Sequence, residues 1–373
     1  MEVLVRLLLI VATIAFCAMV WTLAFGRITD GPGALVAALF VITANYLSST
    51  LLGRIWPWWS QRLQRRSEKR RQASDFHGQK GPVHSILPVL AVVATLIALW
   101  YAGAVALNAP WAYDKAARAE VTLTFPELVA DTWSQEKPKL PAPHQVAAEM
   151  WNTTGAMIAS GRPFSKRSLI YHSWITFSST ALGFLLGTAL GTLLAIGIVY
   201  NRTMDMSVMP WVIASQTIPI LAIAPMIIVV LNAVGISGLL PKAMISMYLS
   251  FFPVVVGMVK GLRSPSAMQL DQMRTWNASR SQTFWKLRLP SSMPYFFTSL
   301  KIAMAASLVG AIVGELPTGA VAGLGARLLA GSYYGQTIQI WSALIMAATL
   351  AAVLVGLIGL IQRITLKRMG MAT

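Results

Sequence analysis

The sequence predicts an all-α polytopic membrane protein with about eight transmembrane helices. Three observations carry this expectation. The 373 residues are 56% hydrophobic and only 12% charged, with a mean hydropathy of +0.62, a membrane-embedded composition. The apolar residues fall into runs of roughly 20, the length a helix needs to cross a hydrocarbon core. The basic residues, which set a net charge of +17, cluster in short segments beside those runs, as cytoplasmic loops do. A nucleic-acid-binding face would instead gather its cations on one soluble surface. The single cysteine, Cys17, excludes an intramolecular disulfide, a Cys-based zinc site and an iron–sulfur cluster. His77, His84, His144 and His172 show no ligand spacing, so no metal site is expected and each reads as a surface or interfacial residue.

Residues 7–25 form the first run of spanning length. A cleaved signal peptide is the competing reading. Glu2 offsets Arg6 in the leading segment and no small-residue cleavage site follows, so a retained helix is expected. Gly26 to Gly33 is turn chemistry, and residues 34–52 form a second span. Residues 53–85 carry Arg54, Arg62, Arg65, Arg66, Lys69, Arg70, Arg71 and Lys80 against Glu68 and Asp75. That excess places the segment in the cytoplasm and, counting back two spans, the N-terminus too. Residues 86–107 form a third span leading outside. Residues 108–168 are polar, with prolines at 126, 138, 141 and 143 and short helices expected over Pro126–Ser134 and Pro143–Ala159.

A long span is expected over 169–200. Gly183, Gly187 and Gly191 recur on one face, where small residues let helix backbones approach closely in lipid, within one subunit or between two. The span over 209–231 contains Gln216, Thr217, Pro219 and Pro225. Each proline removes a backbone hydrogen bond. In lipid such a break must face protein or a water-filled cavity, so the segment is a pathway-lining helix or a kinked packing helix. Further spans are expected over 240–259, 295–316 and 341–361. Glu315 lies near the outer end of the second of these. It is either a functional intramembrane carboxylate or a helix-end group satisfied by backbone amides. Arg363, Lys367 and Arg368 keep the C-terminus inside.

Between two of these spans, residues 260–294 are polar and basic, with Lys260, Arg263, Arg274, Arg280, Lys286 and Arg288 against Asp271. Ser266 to Trp276 predicts a short helix, and Asn277 suits a left-handed stop. Ser279 with Gln282 is a capping-box pair opening a second short helix. Arg288-Leu289-Pro290 is expected to end it, because the residue before proline is pushed out of helical geometry. Trp276, Phe284 and Trp285 would then be large apolar groups on an aqueous face, fit for docking a partner or for resting on lipid headgroups.

The run LDQMRTWNASRSQTFWKLRLP resembles the cytoplasmic coupling loop of type I ABC importer permeases, whose pattern is Glu-Ala-Ala, three residues, Gly, and later a hydrophobic residue, one residue and Leu-Pro. Ala278-Ser279-Arg280 and Leu289-Pro290 match the nitrate/sulfonate/taurine/bicarbonate branch. Asp271-Gln272-Met273 replace Glu-Ala-Ala, and Asn277 stands at the Gly position. Leu140-Pro141-Ala142-Pro143-His144-Gln145-Val146, the proline-broken stretch at 216–225 and the loop Gly319 to Gly325 resemble other segments of that branch. The resemblance covers roughly residues 86–368. It implies an N-terminal extension over 1–85, a first core helix and external loop over 86–168, and a permease core over 169–368.

The function so implied is the inner-membrane subunit of an ABC importer. The ATPase-coupling residues would be Asp271, Trp276, Asn277, Ala278, Ser279, Arg280, Phe284, Trp285, Leu289 and Pro290. The path residues would be Gln216, Thr217, Pro219, Pro225 and Glu315. Implied partners are separate ATP-binding-cassette ATPase subunits, a second permease subunit and an extracytoplasmic solute-binding protein. No Gly-x-x-x-x-Gly-Lys-Ser/Thr motif occurs, so ATP is expected on the partner, with no cofactor and no catalytic residue on this chain. A secondary transporter without an ATPase is the alternative class; it predicts repeated halves and several intramembrane ionisable groups.

Overall fold

In a computed structural model the described residues are 83–317 and 322–371. The expected spans at 7–25 and 34–52, the basic segment up to 82 and residues 318–321 of the glycine-rich loop lie outside them. The chain divides into two units at Ala102 and Gly103. The described residues are helical and contain no strand.

The first helix, α1, is Val83–Arg118. It ends at Glu120, which adopts φ 54°, with Val121 N–H donating to Ala116 O at 3.1 Å. Short helices follow: α2 (Phe125–Ser134), α3 (Pro143–Thr153) and α4 (Gly155–Ala159). Asn108, fully buried, ties this segment to α1. Its Nδ2 donates to Leu140 O at 2.8 Å, and its Oδ1 accepts from Lys139 N at 2.8 Å. One amide side chain thereby serves both polarities of a loop that has no regular partner.

The remaining elements are α5 (Leu169–Tyr200), α6 (Arg202–Ser215), α7 (Ile220–Ala233), α8 (Leu239–Leu262), α9 (Ala267–Thr275), α10 (Arg280–Thr283), α11 (Leu289–Glu315), α12 (Leu324–Tyr333) and α13 (Thr337–Arg368). Five described helices are long and apolar enough to cross a membrane, and the pair α6–α7, bent by 99°, makes up to six. The two expected N-terminal spans that would bring the total to eight lie outside the described residues.

The helix α8 is the centre of the core, with α5 and α11 packed on it. Small residues make both contacts. A Cβ placed at Gly183 would stand 2.4 Å from Ser246 Cβ, and one at Gly191 would stand 2.7 Å from Phe251 O. On the other side, a Cβ at Gly257 would meet Ser299 Cβ at 2.4 Å, and one at Gly310 would meet Ser246 Cα at 2.7 Å. Hydroxyl contacts cross at this depth. Ser246 Oγ donates to Ser307 O at 2.8 Å and lies 2.5 Å from Ser307 Oγ, and Ser307 Oγ donates to Thr180 O at 2.9 Å. Ser250 Oγ reaches Gly183 O at 3.3 Å. Lipid supplies no hydrophobic drive between helices, so close packing and such hydrogen bonds hold the bundle.

Candidate functional site

The hairpin over 266–290 is built as a sequence of caps. Ser266 and Gln269 form the capping box of α9: Ser266 Oγ accepts from Gln269 N at 3.3 Å, and Gln269 Oε1 accepts from Ser266 N at 2.9 Å. The helix stops at Asn277, which takes φ 50°. Asn277 N–H donates to Arg274 O at 2.8 Å and Ala278 N–H to Met273 O at 2.9 Å. That pair of bonds is a Schellman motif, and it needs a left-handed residue where Asn277 stands. Ser279 and Gln282 then repeat the capping box for α10, at 3.3 and 2.8 Å.

The expected stop at Arg288-Leu289-Pro290 is corrected by the structure. The helix that begins at Arg280 runs without a break to Glu315. A π turn over Phe284–Arg288 accommodates the proline: Leu289 N–H bonds back to Phe284 O. A regular α-turn would press the Pro290 ring against the Lys286 carbonyl, and the wider turn relieves that clash. The second helix of the hairpin is therefore the first turns of a membrane span.

This continuity sorts the expected aromatic anchors. Phe284 is half-buried, packed edge-on against Tyr200 at 6.0 Å between ring centroids and joined to the α8 core cluster. It holds the hairpin to its own protein rather than facing outward. Trp276 and Trp285 remain 67% and 64% exposed, and Met268 80%. Asp271 is exposed and paired with Arg274 at 2.9 Å. Arg280 is exposed, Ala278, Leu289 and Pro290 half-buried. Arg288 Nη1 donates to Leu262 O at 2.8 Å, capping the C-terminus of α8.

The break between α6 and α7 spans Gln216 to Pro219. Pro219 is the N-terminal cap of α7, and Pro225 sits inside that helix. Thr217 Oγ1 donates to Ala214 O at 2.8 Å, and Tyr248 of α8 donates its hydroxyl to Ser215 O. Carbonyls freed by the bend are thus satisfied from within the protein, as a break at membrane depth requires. Gln216 is half-buried; Thr217, Pro219 and Pro225 are exposed.

Glu315 sits at the opposite end of α11 from the hairpin and is fully buried. It accepts from Thr176 Oγ1 at 2.9 Å and from Gly325 N–H at 2.8 Å. Thr176 Oγ1 in turn accepts from Leu324 N–H at 2.9 Å, and His172 Nδ1 accepts from Gly323 N–H at 3.0 Å. Three side chains thus each take one backbone N–H at the start of α12, where a helix leaves its donors unpaired. Gly323, at φ 131°, fits only without a side chain: a Cβ there would stand 2.3 Å from Glu315 Cδ. His172 is 3% exposed, buried within the protein where a surface or interfacial placement is expected. Its Nε2 faces Lys166 O at 3.0 Å, so the neutral Nε2–H tautomer fits both contacts. The glycines Gly183, Gly187 and Gly191 face α8 of the same chain.

The model of the binding-protein-dependent transport system inner membrane component family matches residues 187–371, a stretch that holds the broken span, the hairpin, Glu315 and α12. An ABC transporter permease protein of Haemophilus influenzae is 30% identical over 189 residues, which cover 50% of this chain and 75% of that relative. The chain belongs to this family. It is similar also to the formylaminopyrimidine transport permease ThiX of Halalkalibacterium halodurans, 35% identical over 41% of this chain and 60% of the relative. The aliphatic sulfonates transport permease SsuC of Bacillus subtilis is 26% identical over 57% of this chain and 72% of its own length. The chain is a multi-pass inner-membrane permease subunit of an ABC importer, and ATP hydrolysis belongs to a separate subunit.

Proposed function

We propose that the hairpin over 266–290 docks an ATP-binding-cassette ATPase subunit and that the broken span α6–α7 lines the solute path. A second permease subunit would complete the path, and an extracytoplasmic binding protein would deliver the solute at the opposite end, beside α12. ATP would be held by the docked partner. Both termini and the hairpin would be cytoplasmic, as the basic residues of the hairpin and of the last turn of α13 favour. The single observation that carries docking is the pair Trp276 and Trp285. A short hairpin that is capped at Ser266, Asn277 and Ser279 yet leaves two tryptophans uncovered offers an interface.

Buried aromatic anchors commonly contribute about 2 kcal/mol or more each to an interface. Trp276→Ala with Trp285→Ala should therefore weaken ATPase co-purification by tens-fold or more. Phe284→Ala should instead lower the thermal stability of the permease itself. Full ATPase retention by the double tryptophan variant would reduce the hairpin to an element resting on lipid headgroups.

A further inference from the structure

We infer that Asp205 and Arg263 are a positioning pair that carries movement of the hairpin to the break in the α6–α7 span. The inference rests on the proposed docking of the hairpin. Arg263 is the C-terminal cap of α8, at the root of the hairpin just ahead of Ser266. Asp205 lies in the first turn of α6. Arg263 Nη2 stands 2.8 Å from Asp205 Oδ2.

The same two helices meet again at the far end of α6. Tyr248, on α8, donates its hydroxyl to the carbonyl of Ser215, the last residue of α6 before the break. Between these points Val208, Met209 and Val212 of α6 belong to a core cluster that contains Ala195 and Ile198 of α5 as well as Val255, Met258 and Val259 of α8. A helix of 14 residues is about 21 Å long, so α6 is a strut pinned at both ends to α8. Displacement entering at Arg263 moves the first turn of α6, and the strut delivers it at Gln216–Pro219, where the backbone turns by 99°.

The plain alternative is that Asp205 complements the helix dipole and makes a surface ion pair. Both effects are real but weak for exposed groups, and the side chains of Arg263 and Asp205 are 46% and 37% exposed. Neither effect requires the partner of Asp205 to be the root of the hairpin. Nor does either require the other end of α6 to be held by the same helix.

The experiment uses the reconstituted complex of permease, ATPase and binding protein, and reads two quantities: ATPase co-purification, and solute taken up per ATP hydrolysed. Asp205→Arg sets two cations at the contact. The expected result is unchanged co-purification with a several-fold lower uptake per ATP. The exchange Asp205→Arg with Arg263→Asp should recover most of that loss, though not all, because Arg at 205 opposes the helix dipole. Tyr248→Phe, which frees the Ser215 carbonyl without removing the ring, should shift the ratio in the same direction. Wild-type uptake per ATP in Asp205→Arg overturns the strut and leaves docking standing. Failure of the exchange to recover coupling, with the ATPase still bound, overturns it as well. A wild-type permease that does not co-purify with the ATPase overturns the strut and the docking together.

Discussion

Glu315 reaches across from α11 to cap a helix that begins after it in the chain, and its partners were not legible in the sequence. Its contact with Thr176 joins residues far apart in the chain, and nothing in the hydrophobic period of either span records that pairing. His172 was misread for the same reason: a lone histidine in an apolar run gives no sign of the glycine-loop amide that it meets. The glycine spacing, by contrast, was legible, because a repeat of small residues on one helix face has few uses other than close packing. Two predictions belong here. Glu315→Gln should keep uptake, since an amide oxygen can still accept from Gly325 N–H. Glu315→Leu should lower thermal stability by about 1–3 kcal/mol through an unsatisfied buried donor. A variant Glu315→Gln that is stable but inactive in uptake would instead place the carboxylate in the transport path. Gly187→Val should cost about 1–3 kcal/mol or more by overpacking, because a Cβ there would meet Ser250 Oγ and Met247 O. A melting scan in detergent checks Glu315→Leu and Gly187→Val, and an uptake assay checks Glu315→Gln.

At the scale of elements, the caps of the hairpin were readable because capping is local chemistry. Asn277, Ser279 and Gln282 stand where short-range rules place them. The exit was not readable. The proline rule pointed to a stop at Pro290, and one π turn let the helix continue. Asn277→Gly should preserve substrate-stimulated ATP hydrolysis, since Gly takes the left-handed conformation readily. Asn277→Val should lower it, since a β-branched residue at φ 50° is strained and would change the angle at which α9 leaves α10. For the broken span, Gln216→Trp or Thr217→Trp should impair uptake while the subunits still assemble. Unchanged uptake with both in place would remove α6–α7 from the path.

The described helices α5 and α11 each run between two regions of different chemistry. Tyr200 meets Phe284 at one, and Thr176 meets Glu315 at the other. The first carries the basic hairpin; the second carries α12 and, through Thr337 Oγ1 on Pro138 O, the segment that follows α2. With Cys17 replaced, Ser281→Cys should be shielded from impermeant thiol reagents in intact cells and Ser134→Cys should label; both positions are exposed on the protein. The most direct test of the account is uptake into proteoliposomes holding the permease and its ATPase, with loaded binding protein on the face opposite the hairpin. Transport should require ATP on the hairpin side, and hydrolysis should rise when the binding protein is added. Uptake that proceeds without ATP and follows an ion gradient would contradict the account and assign the chain to secondary transport.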